Sequence, residues 1–230
     1  MNLRSSVRAV TSYDRLVTSY VRPGVAERVF HDGQGRPIPY GTRWGGGLPP
    51  EDTYSVTTHP ERFTPLHAVA EALVAHLAAT YLVAVDDDPS YADGLRLEPL
   101  DVVRAVRLVP DAPRAAALTV VLTSFPSVQV RAGLLHVFRY PECGCDACDE
   151  DWASQSEELE RHVLAVAGGD YREFVTGGAE PWIGYSIARG AEDRQSSRTL
   201  ASSPEERART AAAVAQGLPQ RWAPWPRRTP

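Results

Sequence analysis

Apolar residues recur at helical spacing in several stretches of the chain and crowd into short runs elsewhere. Val10, Tyr13, Val17 and Tyr20 predict an amphipathic helix over residues 5–21, closed by Arg22-Pro23-Gly24. The clearest helix covers residues 64–81, where Leu66, Ala70, Leu73, Val74, Leu77 and Tyr81 make one stripe; Thr64 is expected to cap it, with Pro65 in the first turn. An acidic, turn-rich stretch follows over 86–94, and then the period changes. The runs 102–109, 118–125, 127–132 and 134–140 are rich in Val and Leu, with connections too short for helical crossovers, so an antiparallel meander is expected.

A further helix is expected over 149–167, with Trp152, Leu159, Val163 and Val166 on one side and Gly168-Gly169 at its end. Asp149, Glu150 and Asp151 would occupy its first turn, where the helix dipole favours negative charge. Residues 171–176 and 182–188 read as two more strands. Ser203 and Glu206 have capping-box spacing and start a last helix that stops near Gln216-Gly217. The order describes an α+β fold: an antiparallel sheet of about four to six strands covered by two or three helices.

Two segments lack such patterning. Residues 31–51 hold six Gly and four Pro with almost no aliphatic side chain, which predicts a long connector that Trp44 can pin to the body. The glycines of Trp44-Gly45-Gly46-Gly47 lack a preceding strand and a following Lys, so the phosphate-loop reading fails on context. Residues 218–230, rich in Pro, Trp and Arg, predict an extended tail; composition favours a disordered terminus over one that recruits a protein partner. The chain thus divides into a helix and Gly/Pro-rich loop (1–51), an α+β domain (52–217) and the tail (218–230).

Composition then narrows the function classes. No apolar run approaches the ~18 residues of a membrane span. The 24 basic residues are all Arg and are outnumbered by 29 acidic ones, for a net charge of −5. That balance disfavours a generic nucleic-acid binder. Arg104, Arg107, Arg131 and Arg139 fall on expected strands with mixed parity, so no continuous basic stripe is expected. The absence of Lys removes lysine-based catalysis. No secretory leader is read at the start, and three cysteines do not make a disulfide framework, so a cytoplasmic setting is expected.

The motif with chemical content is Glu142-Cys143-Gly144-Cys145-Asp146-Ala147-Cys148-Asp149-Glu150. Thiolates converge on zinc, and Gly144 permits the tight turn that would bring Cys143, Cys145 and Cys148 onto one ion. A fourth ligand is missing locally. His162 and His136 would each lie about 20 Å away along a helix or strand. Glu142, Asp146 or Asp149 could serve, or His59 or His67 from elsewhere. A redox reading competes, because Cys145-Asp-Ala-Cys148 precedes a helix as a thioredoxin-type pair does. The flanking aspartates argue against it, since they would raise the thiol pKa values. The plainest reading is reduced cysteines in a tight, capped loop. His67 and Glu71, one helical turn apart, read as a solvated pair, and His136 as a half-buried core histidine.

The strings Thr58-His59-Pro60-Glu61-Arg62-Phe63, Gly133-Leu134-Leu135-His136 and 143–150 resemble a bacterial domain-of-unknown-function family, number 6226, over roughly residues 52–200. The resemblance implies a shared α+β domain and carries no catalytic residue. The expected function is a soluble binding or interaction module with a structural, zinc-assisted cysteine loop. An enzyme stays open as the alternative, either a thiol oxidoreductase using Cys145 and Cys148 or a zinc-dependent hydrolase.

Overall fold

The computed structural model describes residues 20–26, 28–95, 101–178, 180–188 and 194–229. The expected helix over 5–21 lies outside them except for Tyr20 and Val21. Five strands form an antiparallel meander in chain order: β1 (Val83–Asp87), β2 (Val102–Pro110), β3 (Leu118–Thr123), β4 (Val128–Ala132) and β5 (His136–Tyr140). A second antiparallel sheet holds β6 (Tyr171–Thr176), β7 (Trp182–Ala188) and β8 (Arg194–Leu200). The helices are α1 (Pro65–Thr80), α2 (Trp152–Gly168) and α3 (Pro204–Ala215). The class is α+β, as the patterning predicts.

Register explains how the core assembles. Val106 pairs with Val120, Val120 with Val130 and Val130 with Phe138, so one row of apolar side chains crosses four strands on one face. Helices α1 and α2 close that face with Leu66, Leu73, Leu77, Leu159 and Val163, all buried. Ala105 and Val121 point the other way and are covered by a short 3-10 turn, Pro89–Ala92. That cover leaves β3 buried at every position.

Several boundaries move for local reasons. Thr64 does not cap α1; a 3-10 turn, Pro60–Phe63, runs into the helix and leaves Thr64 helical. Helix α2 begins at Trp152, because Asp151 is its cap and accepts from the backbone N–H of Ala153 and Ser154; Asp149 and Glu150 therefore lie before the helix. Strand β1 runs into the first two residues of the stretch read as acidic and turn-rich, 86–94, and is held by pairing with β2. Strand β8, Arg-Gln-Ser-Ser-Arg-Thr-Leu, has no strand-like pattern and exists by pairing with β7. The capping box of α3 is present in both directions.

The tail is extended but not disordered. The Trp225 N–H donates to the Ala167 carbonyl at 2.9 Å, and Leu82 N–H donates to Pro226 at 2.8 Å. The rings of Trp222 and Trp225 are buried in the main core, where the Trp225 indole donates to the Ala116 carbonyl at 2.8 Å. Among the described residues no helix is long and apolar enough to cross a membrane.

Candidate metal centre

Strand β5 ends at Tyr140, and the cysteine loop fills the ten residues between it and the cap of α2. Gly144 turns with φ +82°, and a Cβ there would sit 3.0 Å from the Phe125 ring. The turn folds the loop back on itself. The sulfur atoms of Cys143, Cys145 and Cys148 all come within 4.8 Å of one another. Cys145 is buried, while Cys143 and Cys148 face solvent. Three cysteines this close can hold a metal ion.

The frame around them is polar and tied down. Glu150 turns back, and its carboxylate accepts the backbone N–H of Glu142 (2.8 Å), Cys143 (3.1 Å) and Gly144 (2.6 Å). Asp146 is buried and accepts from the Thr58 hydroxyl at 2.7 Å and from the Thr58 N–H at 3.2 Å. Arg62, also buried, donates to the Gly144 carbonyl at 2.9 Å and lies 4.3 Å over the Tyr40 ring. From the Gly/Pro-rich connector, Arg43 N–H donates to Asp149 Oδ2 at 2.7 Å and the Trp44 indole donates to the Ala147 carbonyl at 3.2 Å. Trp44 thus pins the connector to the body as expected, and the anchor is the cysteine loop itself.

Thiol electrostatics follow from this frame. Burial pushes the Cys145 thiol up, but hydrogen bonds from the Cys148 N–H, from the neighbouring thiols and from the Ser55 N–H outweigh it and leave it below its ordinary value. Cys148 faces solvent as a residue, but partial desolvation of its sulfur and the two sulfurs beside it push it up to about 12. The aspartates do not raise these thiols as expected; the Asp146 carboxylate is turned toward Thr58. A second negative sulfur beside the first is disfavoured unless a cation arrives.

The candidate fourth ligands separate clearly. His59 is engaged with the His31 carbonyl (3.0 Å) and Glu61 (3.2 Å), and His67 donates to the Ser127 carbonyl at 3.2 Å. Asp146 is turned toward Thr58, with Arg43 and Arg62 each 3.7 Å from its Oδ1, and Glu142 is exposed. Asp149 differs: its Oδ1 is buried and makes no hydrogen bond, directly after Cys148. His67 and Glu71 do not act as a solvated pair, since Glu71 is bound by Arg104 and His67 is half-buried.

A second polar centre was not visible in the sequence. Glu173 is buried on β6, and its carboxylate accepts the N–H groups of Leu134 (3.0 Å), Leu135 (2.8 Å) and His136 (2.9 Å) and the Trp222 indole (3.2 Å). Burial raises its pKa, against the three backbone N–H groups and the Tyr171 side chain, which lower it. His136 is half-buried between the rings of Phe138 and Tyr185, and burial and the nearby Arg139 lower it to about 4. No motif spacing announces Glu173; the signal available was a charged residue at an inward position of a strand.

Residues 26–229 match a family model described as a family of unknown function (DUF6226). The match takes in the connector and the tail, both of which the resemblance had left outside. No curated protein and no solved structure matches the chain.

Proposed function

For a chain that belongs to the DUF6226 family, whose function is unknown, we propose a binding module built around one structural zinc ion held by Cys143, Cys145 and Cys148. The observation that carries this reading is the mutual approach of the three sulfurs within 4.8 Å in a loop fastened from both sides. A water molecule would supply the fourth donor, since the group of ligand atoms within 4.8 Å of one another holds the three sulfurs and not the Asp149 carboxylate. The ion would neutralise thiolates that otherwise repel one another, and would lock the connector over residues 40–62 against the start of α2. Reduced thiols of this kind suit a reducing cytoplasm.

Two observations weigh against an enzyme here. In a dithiol oxidoreductase the attacking thiol is both exposed and acidic, whereas the lowered thiol in this loop is the buried Cys145. A zinc hydrolase needs a free base beside the metal, and the half-buried Glu150 and buried Asp146 carboxylates are already engaged by backbone and hydroxyl donors. Recruitment of a partner by the tail would compete with the burial of Trp222 and Trp225 in the core.

Metal analysis of the full chain purified without chelator tests the reading. One zinc per chain is expected, reduced most by Cys145→Ser and left unchanged by Asp149→Ala. A stoichiometry near zero with freely titrating thiols would sink it.

A further inference from the structure

Strand β5 is an edge of the five-stranded sheet, and β8 is an edge of the three-stranded one. Between them lie two adjoining cavities of about 400 Å³ each that share His136, Val137, Arg139, Ser197 and Thr199. Gln195, Ser197 and Thr199 are alternate positions, so one whole face of β8 lines this space. That face is polar where a sheet face packed on a core would be apolar. It explains why β8 reads as no strand at all in the sequence.

The two cavities differ in charge. Arg139 from β5 lines both, while Arg198 from β8, which lies 5.2 Å over the Trp182 ring, and Arg209 from α3 line the first alone. None of the three makes an ion pair with a described residue, although Arg22, Arg36, Arg62, Arg104 and Arg221 each find a carboxylate. Arg131 stands close behind, its Nη2 3.8 Å from where a Cβ on Gly94 would be, and Gly94 lines the same cavity. Two acids also line it. Glu206 is tied to the N–H groups of Ser202 and Ser203 in the capping box, and Glu205 is exposed. The second cavity carries Glu142, Gln155 and Glu158 at its far side, beside Gln195. One end therefore favours a dianionic oxygen group, for which guanidinium forks are suited. At the other end Glu158 meets Arg161 and His162, and Gln195 Oε1 meets His162 at 3.4 Å. Gln155, Ser197, Thr199 and the Gln195 amide nitrogen are therefore the groups that suit hydroxyls, beside carboxylates that repel a second anion.

We propose that this double cavity binds a phosphorylated sugar or polyol, the phosphate between Arg139, Arg198 and Arg209 and the hydroxyls toward Gln155, Gln195, Ser197 and Thr199. None of the three cysteines lines either cavity; Glu142, at the start of the cysteine loop, is where the second cavity borders that loop.

Calorimetric titration of the full chain with glucose 6-phosphate, inorganic phosphate and glucose tests it. A single saturable site is expected for glucose 6-phosphate, with phosphate about tenfold weaker and glucose giving no measurable heat, since hydroxyl contacts add to the charged ones. The exposed pair Arg139→Ala with Arg198→Ala should weaken glucose 6-phosphate about tenfold or more. Arg209→Ala, on a different element, should weaken it in the same direction. Gln155→Ala should weaken the sugar phosphate and leave phosphate unchanged, and Arg36→Ala should alter neither. Equal affinity for sugar phosphate and phosphate, full affinity in the double variant, or no binding by either anion would each overturn the proposal.

Discussion

Glu173 shows how much one buried side chain organises. Its two oxygens take four N–H donors, three from the β4–β5 turn and one from the tail. Glutamine at this position keeps one acceptor oxygen and turns an NH2 group toward two of those donors. Each unmet buried donor costs ~1–3 kcal/mol, so Glu173→Gln is expected to destabilise the fold by about 2 kcal/mol or more in urea melts. A change of a few tenths would show the contacts to be dispensable. Gly133 belongs to the same device, since a Cβ there would collide with the Glu173 carboxylate. His136 gives the residue scale its pH dependence. Its folded pKa lies near 4 against an unfolded 6.5, so its contribution is complete above pH 6.5 and is lost as pH falls toward 4. The loss runs at roughly 1.4 kcal/mol per pH unit at most. His67 and His76, also lowered by burial, act in the same direction. His136→Gln should flatten the acid side of the stability profile, and an unchanged profile would assign the acid sensitivity elsewhere. Of these groups, only the half-buried character of His136 was legible from strand parity. Glu173 was not, because its partners lie about forty residues away in sequence on either side.

Among the elements, α1, α2, α3 and the β2–β5 meander follow from periodicity and turn chemistry, since each buries a face that its own spacing defines. Strands β1 and β8 do not, because β1 ends in acidic residues and β8 is polar along most of its length, and each is held by pairing with its one neighbour. The tail is the largest departure from composition. Pro-rich sequence predicts extended backbone, and the backbone is extended, but two Trp rings give it enough apolar surface to dock. Trp225 is nearly inaccessible at 2 % exposure, so Trp225→Ala is expected to cost about 3–5 kcal/mol in a denaturant titration. A truncation after residue 217 should lose at least as much. Unchanged stability in the truncated chain would restore the tail to the status of a free arm.

At the scale of the whole molecule, the cysteine loop is where the connector, the meander and α2 meet. If it holds a metal, removing that metal with a chelator should increase amide exchange over residues 40–62 and 141–151 while leaving β2–β4 protected. Uniform exchange across the chain, or none, would separate the loop from any such role. The Arg residues are instructive in the same way: scattered by parity along the strands, Arg139 joins Arg198 and Arg209 at one cavity only once β5, β8 and α3 are in place. The sequence by itself determined the helices, the meander, the α+β class and the three thiols of one loop, because those depend on periods of a few residues and on local turns. Only the tertiary structure decided that the sulfurs meet in a frame that includes residues 40–62, that the tail closes the core, and that three Arg residues from different elements line one cavity. Those outcomes depend on pairings between distant segments, and the energy that selects them is burial and hydrogen bonding across the fold rather than any preference of the segments themselves.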